Sequence, residues 1–245
     1  MVEVMERRGA RTEVLVDLAE ITAFAFLRAG GTPGAGPHFH VEHVDTFIVL
    51  EGELEVLTAG DPLTLEAGDA VGVPPGVVHG FNNLPPGPVR LLNVHAPSRG
   101  FADYLRRMYA GEETDPREYD QFPPEQAPGG DPVVARAGDG ERFERDNRVV
   151  TVRFALPQLS LVEIEFDSSF EVPPHTHDDH VDSFFVLDGA VELAREDETV
   201  VARPGEFFAA PIGTRHGFRS ADGAPARVLN LHAPDAGFAD WIRNG

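Results

Sequence analysis

The sequence predicts an all-β protein built as two tandem sandwiches or barrels, and three observations carry that expectation. First, each of the ten histidines has a twin 137 residues away: His38 with His175, His40 with His177, His43 with His180, His79 with His216 and His95 with His232. A packing or surface histidine has no reason to recur at a fixed offset, so the chain is one unit written twice. Second, short runs of strand character recur at that same offset, and many short strands at regular spacing indicate sandwiches or barrels. Third, 25 Gly and 21 Pro in 245 residues supply the turns such a fold needs.

Taken in order, the N-terminal segment through Glu20 interrupts every apolar run with acids. It does not read as a signal peptide, and no stretch approaches the roughly 20 apolar residues of a membrane span. Residues 47–50 and 184–187 are apolar on both alternating faces, as in a strand buried on both sides. Turns at Gly52 and Gly189 lead into 53–57 and 190–193, completing hairpins. Pro74-Pro75-Gly76 and Pro211-Ile212-Gly213 form turns just ahead of His79 and His216. Residues 91–95 and 228–232 make a late strand. After Ala96-Pro97 and Ala233-Pro234, segments 101–109 and 238–243 read as short terminal helices. Between the repeats, 111–131 is rich in Pro and acids and reads as a linker or an extended strap. The expected division is a first domain over 1–110, a linker over 111–131 and a second domain over 132–245.

Apolar content of 42% and charged content of 25% are ordinary for a soluble globular protein. A formal charge of −21, with scattered basic residues, argues against nucleic acid or an anionic membrane as a partner. The expected location is the cytoplasm. There is no cysteine, so disulfides, thiolate ligands and thiol nucleophiles are excluded, and any metal must be held by nitrogen and oxygen. Exposed sheet faces make a homo-oligomer an expectation as well.

His38-Phe39-His40 and His175-Thr176-His177 are His-x-His pairs at the start of strand-like runs. Residues two apart on a strand project from one face, so both imidazoles reach a single ion. Asp45 and Asp182 follow five residues after the second histidine, and His79 and His216 follow the Pro-x-Gly turns. Three imidazoles and one carboxylate, His38, His40, Asp45 and His79 in the first copy and His175, His177, Asp182 and His216 in the second, suit a divalent transition metal. Fe, Mn, Co, Ni and Zn are all compatible with that donor set, with one or two positions left open.

These residues resemble the cupin superfamily. His38, His40, Asp45 and Gly52 fit its first motif, and Gly68, Pro74, Gly76, His79 and Asn83 fit its second. The second copy repeats both with His175, His177, Asp182 and Gly189, then Gly205, Pro211, Gly213 and His216. The chain departs from the pattern in two ways. The usual acid of the first motif is Glu where both copies carry Asp, and Ser220 replaces the final Asn in the second copy. The shorter acid leaves three roles open: direct ligation, ligation through water, or orienting a histidine. The resemblance implies two tandem double-stranded β-helix (jelly-roll) barrels, a bicupin, with short helices after each barrel and one metal per barrel. The function it implies is a metal-dependent oxidoreductase, dioxygenase-type, on a small-molecule enol, phenol or acid substrate. The alternatives are a non-redox isomerase, decarboxylase or lyase, and a non-catalytic binding module.

His43 and His180 precede the acid by two residues, while His95 and His232 share a strand face with Asn93 and Asn230. The four are candidate catalytic residues, His43 and His180 as proton carriers or alternative ligands and His95 and His232 as acid/base groups or substrate contacts. The alternative is a rim histidine bonded to a neighbouring acid for His43 and His180, and a satisfied barrel-end histidine for His95 and His232. Asn93 and Asn230 are candidate supports of the ligands. Arg215 and Arg219, if turned inward, would give the second site a preference for anions; otherwise they are exposed loop residues. Phe81 and Phe218 read as core or pocket wall.

Overall fold

The computed structural model describes residues 2–83 and 87–244. It divides into two compact units, Met1–Asp139 and Gly140–Gly245. In the first, the strands are β1 (Glu3–Arg7), β2 (Ala10–Asp17), β3 (Thr22–Arg28), β4 (Val44–Glu51), β5 (Glu53–Thr58), β6 (Leu63–Glu66), β7 (Ala70–Val73), β8 (His79–Asn82) and β9 (Val89–Ala96). Helix α1 (Phe101–Ala110) and strand β10 (Val133–Ala135) follow. One sheet has the order β1-β2-β3-β9-β4-β7-β10 and the other the order β6-β5-β8. In the second unit the strands are β11 (Glu141–Arg145), β12 (Arg148–Leu156), β13 (Leu159–Phe166), β14 (Glu171–His175), β15 (Val181–Asp188), β16 (Val191–Arg195), β17 (Glu198–Ala202), β18 (Phe207–Ala210), β19 (His216–Ser220) and β20 (Ala226–Ala233), closed by α2 (Phe238–Asn244). Its sheets run β11-β12-β13-β20-β15-β18 and β14-β19-β16-β17.

Each core lies between its two sheets. Phe47 and Val49 of β4 meet Leu54 and Val56 of β5 and Phe81 of β8. Phe184 and Val186 of β15 meet Val191 and Leu193 of β16 and Phe218 of β19. On β4 the inward side chains alternate as Asp45, Phe47 and Val49, so the apolar anchors and the acid share a face. Burying Phe47 or Phe184 completely contributes about 2 kcal/mol. A one-residue slip would forfeit that and turn Asp45 or Asp182 outward, so core packing fixes the site acid. The turns between β4 and β5 and between β15 and β16 need glycine. Gly52 (φ 81°) and Gly189 (φ 75°) adopt the left-handed conformation, and a side chain there would run into the carbonyl of Pro88 or Pro225.

The middle of the chain departs from the expected division in one respect. The division falls after Asp139 rather than at 132, because β10 pairs antiparallel with β7 of the first unit. Arg136 and the Ala137 amide then bond the Asp69 carboxylate at 2.7 and 2.8 Å, holding the chain to that unit for two more residues. Segment 111–131 takes the second of its two expected forms. It contains two 3-10 turns, Pro116–Tyr119 and Pro124–Gln126, and it folds back over the first unit as a strap. Phe122 bridges Phe39 through paired backbone hydrogen bonds, and Tyr119 packs on Tyr104 of α1 at 5.3 Å. No helix among the described residues is long and apolar enough to cross a membrane.

Candidate metal centres

In the first unit, His38 and His79 face each other across a backbone bridge, each amide donating to the other's carbonyl at 2.8 Å. His40 lies two residues along, and Asp45 opens β4 directly opposite His95 of β9. The structure thus brings His38, His40, Asp45 and His79 together, with one donor atom from each within 4.8 Å of all the others. Donors about 2.1 Å from a common ion sit roughly 3 to 4.2 Å apart, so the cluster needs only a small contraction to close on one. Each imidazole is aimed from behind. Nδ1 of His38 donates to the Gly36 carbonyl at 2.8 Å, that of His40 to Asp120 at 2.8 Å and that of His79 to Val77 at 3.0 Å. Those bonds fix the tautomer and leave Nε2 as a lone pair directed inward. Nε2 of His40 is buried with no hydrogen-bond partner among the described residues, as expected of a ligand whose partner is an ion.

Asp45 is oriented as firmly. Nδ2 of Asn93 donates to its Oδ1 at 2.6 Å, while Oδ2 faces Nε2 of His79 at 3.2 Å and of His40 at 4.0 Å. The shorter acid therefore directs one oxygen into the cluster, and Asn93 is its support. Burial opposes ionisation of Asp45, yet the neighbouring His95 and His79 hold it below the usual carboxylate range. Burial dominates for His38 and pushes it down to about 4, so the imidazole is neutral at pH 7 and its lone pair is available.

The second unit repeats the arrangement. His175 pairs with His216 across β14 and β19, and with His177 and Asp182 they form a second convergent group. Nδ1 of His175 donates to Pro173 at 2.9 Å and that of His216 to Thr214 at 2.9 Å. Nε2 of His175 and His177 approach to 3.0 Å, and Oδ2 of Asp182 lies 3.1 Å from Nε2 of His216. Asn230 donates to Asp182 as Asn93 does to Asp45. Burial drives His177 down to about 4, against the attraction of Asp182.

The remaining histidine pairs lie behind the clusters and differ between units. In the first, a chain runs from Asp120 to Nδ1 of His43 (2.9 Å), from Nε2 of His43 to Nδ1 of His95 (3.0 Å), and from Nε2 of His95 to Oδ1 of Asn93 (3.0 Å), ending on Asp45. In the second, Nδ1 of His180 is held by the exposed Asp179 at 2.7 Å, and Nε2 of His232 reaches Asn230 at 3.2 Å. The middle link is missing there: Nε2 of His180 and Nδ1 of His232 are buried without a partner among the described residues. His95 and His232 each stack on the first residue of the following helix, Phe101 at 3.7 Å and Phe238 at 3.6 Å.

Asp120 is the site residue that sequence reading missed. Its carboxylate accepts from the amides of Val41, Glu42 and His43 besides the His43 ring. It lies in the strap, outside the repeat, so no twin could flag it. Arg215 and Arg219 are exposed, and Arg219 pairs with Glu192, so neither makes the second site anion-seeking. Asn83 ties β8 to the carbonyls of Arg28 and Ala29, whereas Ser220 bonds locally to Ala224. That exchange is structural and leaves the cluster unchanged.

The first unit's cluster is closed: His38, His40, Asp45 and His79 are all 7% exposed or less. The second lies in a cavity of about 790 Å³, walled by apolar side chains including Phe143, Phe170, Phe218, Phe238 and Trp241.

Comparison with known proteins agrees with this geometry. The chain is 24% identical over 242 residues to quercetin 2,3-dioxygenase of Bacillus subtilis, covering 83% of this chain and 70% of the relative. It is 33% identical over 108 residues to an uncharacterized protein of Aquifex aeolicus, covering 42% of this chain and 85% of the other. Among solved structures, AerE from Microcystis aeruginosa superposes with a TM-score of 0.67 at 15% identity over 95% of this chain and 96% of that one. Oxalate decarboxylase of Bacillus subtilis gives 0.68 at 12% identity over 96% and 75%. The cupin domain profile matches residues 26–95 and again 162–232, the two segments that carry the histidine clusters, and the chain belongs to the cupin domain family with that domain present twice.

Proposed function

We propose that the protein is a metal-dependent oxidoreductase of dioxygenase type, acting on a small enol, phenol or acid. The observation that carries this reading is the pair of convergent three-histidine, one-aspartate clusters, each with its imidazole lone pairs turned inward. His38, His40, Asp45 and His79 would hold one divalent ion, and His175, His177, Asp182 and His216 a second. A transition metal bound there supplies Lewis acidity and access to oxygen chemistry. Support for dioxygenase over other metal chemistry comes from the Bacillus subtilis relative, whose name is quercetin 2,3-dioxygenase. The chain's own residues then have distinct tasks. The backbone carbonyls behind His38, His40, His79, His175 and His216 fix their tautomers and orient them. Asn93 and Asn230 hold the acids. The apolar wall of the second unit's cavity surrounds the approach to the site. His43, His95, His180 and His232 stand behind the cluster residues, placed to hold or pass a proton, and His40, His43 and His95 also bring one donor atom each within 4.8 Å of the others.

Metal analysis and oxygen-electrode measurements on protein prepared anaerobically and reconstituted with Fe(II), Mn(II), Co(II), Ni(II) or Zn(II) test this. Two ions per chain are expected, together with oxygen consumption in the presence of enol or phenol substrates. His79→Ala with His216→Ala together should abolish both. Turnover without oxygen uptake would replace the reading by a decarboxylase, isomerase or lyase. Full metal occupancy with no turnover would replace it by a binding module.

A further inference from the structure

The two units are alike in their clusters and unlike in everything that covers them. In the first, the strap supplies what the rim residues lack. Asp120 gives its carbonyl to His40, and its carboxylate to His43 and three amides; Phe122 covers Phe39, and Tyr119 covers Tyr104. The counterparts in the second unit are left open. The His177 side chain is 23% exposed, Thr176 stands where Phe39 would be, and Trp241, the twin of Tyr104, is 64% exposed beside the cavity mouth.

The hydrogen bonds behind the cluster differ in step. In the first unit Nε2 of His43 and Nδ1 of His95 lie within hydrogen-bond reach of each other, at 3.0 Å. In the second, Nδ1 of His180 donates to Asp179, and Nε2 of His232 donates to Oδ1 of Asn230, whose amide group faces Asp182 and Ser183. Both remaining nitrogens, Nε2 of His180 and Nδ1 of His232, are thereby left as acceptors, and neither has a donor among the described residues. Two buried lone pairs on rings that line one cavity are unfavourable until something supplies a hydrogen.

We infer that ligand binds only in the second unit, as a flat, largely apolar molecule whose hydroxyl donates to the His180–His232 pair. The cavity's volume of about 790 Å³ lies within the usual range for a ligand of two or three rings. Its aromatic wall favours a flat body. Its nearby charges, Arg145 and Arg148 against Glu171 and Asp182, leave no excess that would select an ion. The first unit takes no ligand because its own strap occupies the corresponding mouth. This deepens the reading of the second centre as the one that handles substrate, and rests on that reading.

The test uses the two-unit protein stripped of metal, with 3-hydroxyflavone and flavone, the same ring system without the hydroxyl, as probes. Trp241 is the chain's single tryptophan and lines the cavity, so its fluorescence reports occupancy of the second unit alone. Calorimetry should give one equivalent of 3-hydroxyflavone per chain, with saturating loss of Trp241 emission and roughly tenfold weaker binding of flavone. His180→Leu should bring 3-hydroxyflavone down to the affinity of flavone. The matching His43→Leu in the first unit should leave both unchanged. Two equivalents per chain, binding that leaves Trp241 emission unaltered, equal affinity for the two probes, or no saturable binding would each overturn the inference. These wild-type measurements decide it even if a variant fails to fold. Since no metal is present, a loaded enzyme that consumes no oxygen would refute the dioxygenase reading without touching this result.

Discussion

At the residue scale, the two units set a buried and an exposed carboxylate to the same task. Asp120 and Asp179 each hold Nδ1 of a histidine two residues ahead of the site acid. The Asp120 side chain is 4% exposed and also accepts three amides, whereas that of Asp179 is 70% exposed. Removing a buried, multiply bonded carboxylate leaves several donors unpaired at once, while an exposed pair is screened by water. Asp120→Ala should therefore cost about 3 kcal/mol of stability in urea unfolding, and Asp179→Ala less than about 1 kcal/mol. Equal losses would show that the strap does not seat Asp120 as described. The same contrast explains what the sequence disclosed. The cluster histidines and both acids are legible because strand periodicity and the doubled spacing place them. Asp120 was not, because its role depends on a strap folding back across 77 to 80 residues of chain, and nothing local marks that return.

At the element scale, the hairpins, the late strands and the terminal helices follow from alternation and turn residues, which are local signals. Strand β10 does not. Val133–Ala135 is a three-residue strand whose only reason to exist is the free edge of β7, and edge pairing leaves no periodic trace in so short a run. The expected boundary at 132 therefore places it with the second unit, whereas it pairs with β7 of the first. The strap has an element-scale consequence that exchange measurements reach. The amides of Val41, Glu42 and His43 are bonded to Asp120, while those of Asp178 and His180 in the equivalent bend of the second unit have no acceptor among the described residues. In hydrogen exchange followed by NMR, residues 41–43 should be protected at least tenfold more than 178–180. Comparable rates in the two bends would mean that the strap is not seated in solution.

At the scale of the whole molecule, both units bury imidazoles that must stay neutral, and this couples folding to pH. Burial lowers His38 to about 4, His95 to about 3 and His232 to about 4, in each case because the charged ring would lose its hydration. In the unfolded chain the same groups titrate near about 6.5. Between those limits the unfolded state binds protons that the folded state refuses, so stability falls as pH falls. It is fully present above about pH 6.5, declines through the window down to about pH 3, and for three such groups the slope reaches about 4 kcal/mol per pH unit at its steepest. The aspartates act in the same direction lower down: Asp182 is held below its ordinary range, against burial, by His232 and His216, and its contribution is lost as it protonates. Scanning calorimetry of the metal-free protein should therefore show Tm dropping steadily from pH 7 to pH 5. Bound metal should raise Tm at pH 7 and lose that effect on acidification, since an ion and a proton compete for the same lone pairs. A metal-free Tm that stays level between pH 7 and pH 5 would mean that these histidines are not buried neutral, and with that the inward-facing donor set itself would fall.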